Sequence, residues 1–197
     1  MPYDSVFYDI YRDYLQEETV RRNHDRMFAH FYKYSQGTPL LVADLGCGLG
    51  EYSLYGFYNQ YVGVDANNTA NYVKNFIHVD YHKEVLPYLL PFVPTAFVSL
   101  FSIECCHSAK DKYALYENLF ARMPSLKYGL VGGFFYQDSR EMETIGETEG
   151  IISYQTIEDP SLYISLTFSE FRLHMRTPSI MFGSDVIEVW KIFSRLA

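Results

Sequence analysis

Three carboxylates in this chain stand at the ends of apolar runs. Leu40 to Ala43 stops at Asp44, Tyr61-Val62-Gly63-Val64 stops at Asp65, and Asn75 to Val79 stops at Asp80. The first acid opens Asp44-Leu45-Gly46-Cys47-Gly48-Leu49-Gly50, with three glycines at alternate positions. Short apolar runs bounded by turn residues read as buried strands. A glycine-rich turn after a strand admits positive φ and lets a ligand come close to bare backbone. The first N–H groups of a following helix then face that ligand, with the positive end of the helix dipole behind them. Asp44, at the carboxyl end of its strand, sits where open α/β sheets bind ligands. An ordinary β-turn is the other reading of an isolated GxGxG. Three acids in step at successive strand ends argue against it.

The elements that must hold these residues can be read in order. Residues 1–35 carry helical spacing in Val6, Phe7, Ile10, Tyr14 and Leu15, repeated by Met27, Phe28, Phe31 and Tyr32, with a break expected at Asn23. Gly37-Thr38-Pro39 ends that segment. Strands are expected at Leu40–Asp44, Tyr61–Asp65, Asn75–Asp80, Thr95–Phe101 and Lys127–Phe135. Short helices are expected at Glu51–Tyr58, from Asn67-Asn68-Thr69 to Lys74, and at Lys83–Leu90, with a longer amphipathic helix at Lys110–Met123. Alternating strand and helix predicts a parallel sheet with helices on both faces, because parallel neighbours need crossovers. Gln137 to Gly150 is polar and acidic and reads as a loop. Leu162–Met175 and Asp185–Phe193 then read as a closing hairpin.

With 197 residues, the chain is long enough for one domain with a real core. Its net charge of −8 repels phosphate backbones, so nucleic acid is not the expected partner. Arg21, Arg22 and Arg26 are interleaved with acids and read as a solvated helix face. Three cysteines make no disulfide framework. No run reaches the ~18 apolar residues of a membrane span, and no signal segment opens the sequence. The expectation is a cytoplasmic protein without a membrane partner. Aromatic residues reach 18%, with 19 Tyr and 15 Phe, and most read as packing residues with a polar tip.

Taken together, the acids and glycines resemble the class I S-adenosylmethionine-dependent methyltransferases, over about residues 40–135. Phe7-Tyr8-Asp9-Ile10-Tyr11-Arg12-Asp13-Tyr14 resembles the N-terminal helix that folds over the cofactor in small-molecule members. The resemblance implies a Rossmann-like, mostly parallel seven-stranded sheet with helices on both faces and a C-terminal antiparallel hairpin. It implies one domain over 1–197: a helical lid at 1–38, a cofactor-binding core at 39–136, and a lid loop and hairpin at 137–197. The implied cofactor is S-adenosylmethionine. Gly46, Cys47, Gly48 and Gly50 would pass their backbone against its methionine part, and Asp44 would lie beside its sulfonium and ammonium. Asp65, with Ala66 after it, would accept the ribose hydroxyls. Asp80 would take the adenine amino group and Tyr81 would contribute its N–H. Ser102 and Ile103 would contact the cofactor from the fourth strand.

Phe101-Ser102-Ile103-Glu104-Cys105-Cys106-His107 occupies the place that faces the methyl group and the acceptor in that family. Glu104 is the first candidate to position an acceptor amine or hydroxyl, or to take its proton if burial raises its pKa. His107 is a second candidate base, or simply a residue before the helix at Lys110. Tyr8, Tyr11, Glu104 and Tyr136 are the candidate substrate wall. Four consecutive residues from Glu104 to His107 do not surround one ion tetrahedrally, so no metal is expected. A nicotinamide site would need glycine in place of Glu51. The fourth-strand segment lacks the Asn-Pro-Pro-Tyr-like signature of DNA and protein-glutamine N-methyltransferases. The resulting expectation is methyl transfer to an oxygen or nitrogen of a small molecule. A non-catalytic methyltransferase-like protein, binding the cofactor or a partner chain, and a protein methyltransferase stand as alternatives.

Overall fold

The computed structural model describes residues 5–35, 37–68, 72–83, 86–102, 109–135, 151–154, 166–176 and 185–195. The strands are β1 (Leu41–Leu45), β2 (Gln60–Asp65), β3 (Phe76–His78), β4 (Ala96–Leu100), β5 (Tyr128–Phe135), β6 (Ile151–Tyr154), β7 (Leu166–Arg176) and β8 (Asp185–Arg195). They form one sheet in the order β3-β2-β1-β4-β5-β8-β7-β6. The first five pair in parallel. The last three join antiparallel, with β8 inserted between β5 and β7. The sheet thus has the expected mixed form with one strand more than expected; the eighth is β6, at the antiparallel edge.

Alternation along the central strands sends side chains to two separate cores. Val42, Tyr61, Val98 and Leu130 join a core with helices α1 (Ser5–Gln16) and α2 (Glu18–Tyr34). Ala43, Leu45, Val62, Val64 and Phe97 join the other, covered by α3 (Ala109–Arg122) through Tyr116, Leu119 and Phe120. Helices therefore cover both faces. The first core also takes Trp190 and Ile192 from β8, and Phe171 and Leu173 from β7. This ties the N-terminal helices to the C-terminal strands.

Several local expectations are corrected. The N-terminal helices part at Glu17, whose φ of −59° and ψ of 132° are extended, rather than at Asn23. Asn23 is buried within α2. The segment after the glycines is a 3-10 turn, Glu51–Tyr55, closed by Gly56 at φ 63°. Among the described residues of the stretch read as a helix from Lys83 to Leu90, a single 3-10 turn, Leu86–Tyr88, is found. Residues 72–75 bend rather than coil, and 69–71 and 137–150 fall outside the described residues. The short turns follow from composition: Gly56 and Pro87 interrupt runs too short to nucleate a helix.

Close packing limits what β5 can carry. A Cβ on Gly129 would lie 2.5 Å from the ring of Phe97, which is fully buried. Gly129→Ala is expected to cost about 1–3 kcal/mol through overpacking. A lower denaturant midpoint at unchanged slope is the measurement that shows it.

Candidate functional site

The turn after β1 is bare backbone by necessity. Gly46 has φ 73°, and a Cβ there would overlap the Ser102 hydroxyl oxygen at 1.8 Å. No side chain fits between the tips of β1 and β4. Gly46 and Cys47 donate their N–H groups to the Val64 carbonyl at 2.7 and 3.2 Å, which fastens the turn to β2. Asp65, the last residue of β2, accepts from Gly48 N–H at 2.9 Å on one oxygen and from Asn67 N–H at 2.7 Å on the other. Each oxygen keeps a further lone pair for a ligand.

A cavity of about 190 Å³ opens at these strand tips. The glycine turn lines it with Gly46, Cys47, Gly48 and Leu49, and the tip of β4 with Leu100, Phe101 and Ser102. Glu51, Asp65 and Asp80 supply carboxylates, and Tyr11, Tyr52, Tyr81 and His82 supply aromatic rings. Among the described residues, three carboxylates and no lysine or arginine line this space, so it favours a cation.

The individual groups fit that picture. Tyr81 and Ser102 hydroxyls lie 2.8 Å apart. Tyr11 and Tyr52 hydroxyls are hydrogen-bonded, and Tyr11 packs edge-on to Phe101 with ring centroids 5.5 Å apart. Burial pushes both of these phenols up, so they remain neutral donors. Among the described residues Phe101 is the one non-glycine with positive φ, 59°. An aromatic residue held there is strained, and such strain gathers at functional sites. The Lys83 ammonium, 2.8 Å from Asp80, holds the Asp80 carboxyl below its ordinary value. Burial raises Glu51, whose Oε1 has no hydrogen-bond partner among the described residues.

Asp44 is placed differently from expectation. It is 1% exposed and does not line the cavity. Its parity with Val42 turns it toward the α1–α2 side, where the Tyr61 hydroxyl donates to Oδ2 and Oδ1 has no partner among the described residues. Burial raises its pKa to about 7, against the lowering effect of Tyr61. Gly50 also lies off the cavity; a Cβ there would strike Val73 at 2.1 Å, so its need for glycine is steric. The Cys47 thiol is pushed up by burial and then by Asp44 and Asp65, which leaves backbone as its contribution. Tyr8 lies on α1, though its side chain is outside the described residues, as are Ile103, Glu104, His107 and Tyr136. Sequence reasoning missed Glu51, Tyr52, Asn67 and His82. The signal was available for Glu51, the first residue after the third glycine.

No family model matches this chain, and no curated protein matches it. Solved structures do. The plantazolicin methyltransferase BpumL, in complex with a pentazolic desmethylPZN analog and SAH, is 14% identical with a TM-score of 0.58, over 98% of this chain and 92% of that one. The magnesium protoporphyrin IX methyltransferase ChlM from Synechocystis PCC 6803, with bound SAH, is 14% identical with a TM-score of 0.53, over 94% of each chain. The N-methyltransferase NodS from Bradyrhizobium japonicum WM9, in complex with SAH, is 12% identical with a TM-score of 0.51, over 98% of this chain and all of that one. The chain has the methyltransferase fold. Among the described residues, no helix is long and apolar enough to cross a membrane.

The raised pKa of Asp44 carries a sign. Its folded value, about 7, exceeds the unfolded value near 4. Between those pH values the folded state binds more protons than the unfolded state, so this group lowers stability as pH rises from about 4 to 7. Asp44→Asn is therefore expected to gain stability over the parent protein at pH 8. The gain should shrink toward pH 4, read as the difference in thermal midpoint across that range.

Proposed function

We propose that this chain is an S-adenosylmethionine-dependent methyltransferase that modifies an oxygen or nitrogen of a small molecule. The observation that carries the reading is the cleft at the tips of β1, β2 and β4: glycine backbone, three carboxylates and, among the described residues, no lining lysine or arginine. The residues present fit the cofactor. Gly46 and Gly48 bring bare backbone to the cleft, and Glu51 brings a buried carboxylate oxygen without a hydrogen-bond partner among the described residues. That the similar folds were solved with SAH supports the same choice. When bound, S-adenosylmethionine supplies an electrophilic methyl group on a cationic sulfur.

The chain's own residues then bind, orient and exclude water. Asp65 offers its remaining lone pairs to the ribose hydroxyls while Gly48 and Asn67 hold it in place. Asp80 and Tyr81 take the adenine end, with Ala66 beside them. The backbone of Gly46, Cys47 and Gly48 faces the methionine part, where Glu51 meets positive charge. Ser102 lines the cleft, and Ile103 is assigned to the same contact. Tyr11 on α1 lines the cleft, which supports assigning 1–38 as a lid over the 39–136 core, with Tyr8 assigned to the same lid. Glu104 and His107 are assigned to the acceptor, Glu104 to orient it and take its proton, with Tyr136 on the acceptor wall. Alignment of the acceptor with the methyl and the sulfur is where such a site gains most of its rate. The acidic net charge favours a small-molecule acceptor over nucleic acid, and the sparse cysteines favour a cytoplasmic setting.

Calorimetry with S-adenosylmethionine and S-adenosylhomocysteine tests the reading. Binding of both is expected, and Asp65→Ala should weaken it about 100-fold, since two hydrogen bonds to a charged group are worth roughly 3 kcal/mol. No heat with the parent protein defeats the cofactor assignment. Binding with no turnover on a panel of hydroxyl and amine acceptors would make the chain a binding protein instead. If Glu104 contacts the acceptor, Glu104→Gln lowers kcat more than cofactor affinity.

A second outcome follows from Asp44. A cation nearby favours its ionised form, so cofactor binding should release a proton near neutral pH. S-adenosylmethionine is expected to bind more tightly at pH 8 than at pH 6. Binding heats in buffers of different ionisation enthalpy would count the released protons.

A further inference from the structure

The molecule contains a second polar cluster, outside the cleft lining and fully enclosed. Glu188 on β8 accepts three hydrogen bonds: from the Tyr14 hydroxyl at 2.6 Å, from Trp190 Nε1 at 2.7 Å and from His24 Nε2 at 2.8 Å. Glu188, His24 and Trp190 are completely buried and Tyr14 is 1% exposed. The donors come from α1, α2 and β8 itself. One carboxylate thus joins both N-terminal helices to a strand near the far end of the sequence.

Stability alone is a weak reason for such a cluster. Well-packed apolar side chains often hold a core as firmly as a buried charge does. A carboxylate with three donors adds direction, because each hydrogen bond fixes where its partner's element sits. On α1 that direction reaches the cleft. Tyr14 lies one helical turn after Tyr11, and the two rings stack with centroids 6.4 Å apart. Tyr11 lines the cleft, bonds Tyr52 and packs on Phe101. Turning α1 about its axis would break the Tyr14–Glu188 bond and swing Tyr11 off the cleft together.

We propose that Tyr14, anchored on Glu188, is a positioning residue that sets Tyr11 over the cofactor cleft. The inference rests on the cofactor assignment above. Tyr14 touches no ligand; it acts through Tyr11, and Glu188 supplies the fixed point.

Titration calorimetry with S-adenosylhomocysteine on the full chain, its Y11F and Y14F variants and the double variant Y11F/Y14F tests this. Y14F removes only a hydroxyl that does not line the cleft. It is expected to weaken binding about fivefold to tenfold. The double variant should lose no more than the larger of the two single losses, because both changes break one linked unit. Should Y14F fail to fold, Y14F/E188Q removes the stranded charge together with the hydroxyl and takes its place in the series. The emission of Trp190, the chain's single tryptophan, reports whether the cluster itself is disturbed. Y14F that shifts this emission or lowers the thermal midpoint yet binds as tightly as the parent overturns the proposal and leaves the cofactor reading standing. Additive losses overturn it in the same way. A parent protein that binds no S-adenosylhomocysteine defeats both.

Discussion

The cleft depends on one crossing of electrostatics and sterics: carboxylates crowded against backbone that carries no side chain. Asp65 is held by two N–H groups, one from the glycine turn and one from its own loop. Those bonds give the loop its shape and fix the carboxylate at the strand tip. Gly46 leaves no room for anything between that carboxylate's neighbour strand and Ser102. Asp44 and Glu51 add negative charge at low dielectric, which burial opposes by raising both pKa values. A protein that keeps such groups without a lining cation holds an electrostatic tension that a cationic ligand relieves.

The two faces of the sheet divide the labour. On one side, α3 and the turn at Leu86 seal an apolar layer against Ala43, Leu45, Val62, Val64 and Phe97. This side is close to ordinary packing. On the other side the layer is rich in tyrosine and phenylalanine, and it carries the buried polar groups: Asp44 with Tyr61, and Glu188 with Tyr14, His24 and Trp190. The high tyrosine content now has a physical account. Phenols let α1 and α2 pack as large apolar bodies while still satisfying carboxylates that reach into that face. Phe28 shows the packing half of this arrangement, stacked on Phe57 with centroids 4.3 Å apart and edge-on to Trp190.

Most of the sheet could be read from the sequence because parallel strands are buried on both faces and appear as unbroken apolar runs. Antiparallel β7 and β8 announced themselves by length and turn residues. β6 did not: four residues after a polar stretch lack the contrast that marks a strand, and only the partner β7 makes them one. Asp65, Asp80, Tyr81, Gly46 and Gly48 stand out in the sequence because they mark the ends of apolar runs, and all of them line the cleft. Asp44 was read as facing the cleft, but it lies outside the lining, hydrogen-bonded to Tyr61. Alternation alone could have corrected this, since it shares parity with Val42. Glu51 and Tyr52 were missed because the segment was read as a short helix, which hides which residues look back across the turn. The cluster at Glu188 was beyond reach, since partners separated by |i−j| of 164 and 174 leave no local pattern.

The strand order has a consequence for how the chain assembles. β6 and β7 reach the rest of the sheet only through β8, which follows them in sequence. The parallel pairings among β1 to β5 are all available by residue 135. The 151–176 segment must wait, paired at most with itself, until 185–195 has been made and has slid in beside β5. Arg195 then ties that late strand to the end of α3, donating to the Phe120 carbonyl at 2.6 Å and the Leu126 carbonyl at 3.2 Å. A translating ribosome would therefore carry half a sheet with an open flank, and chaperone demand should peak in that interval.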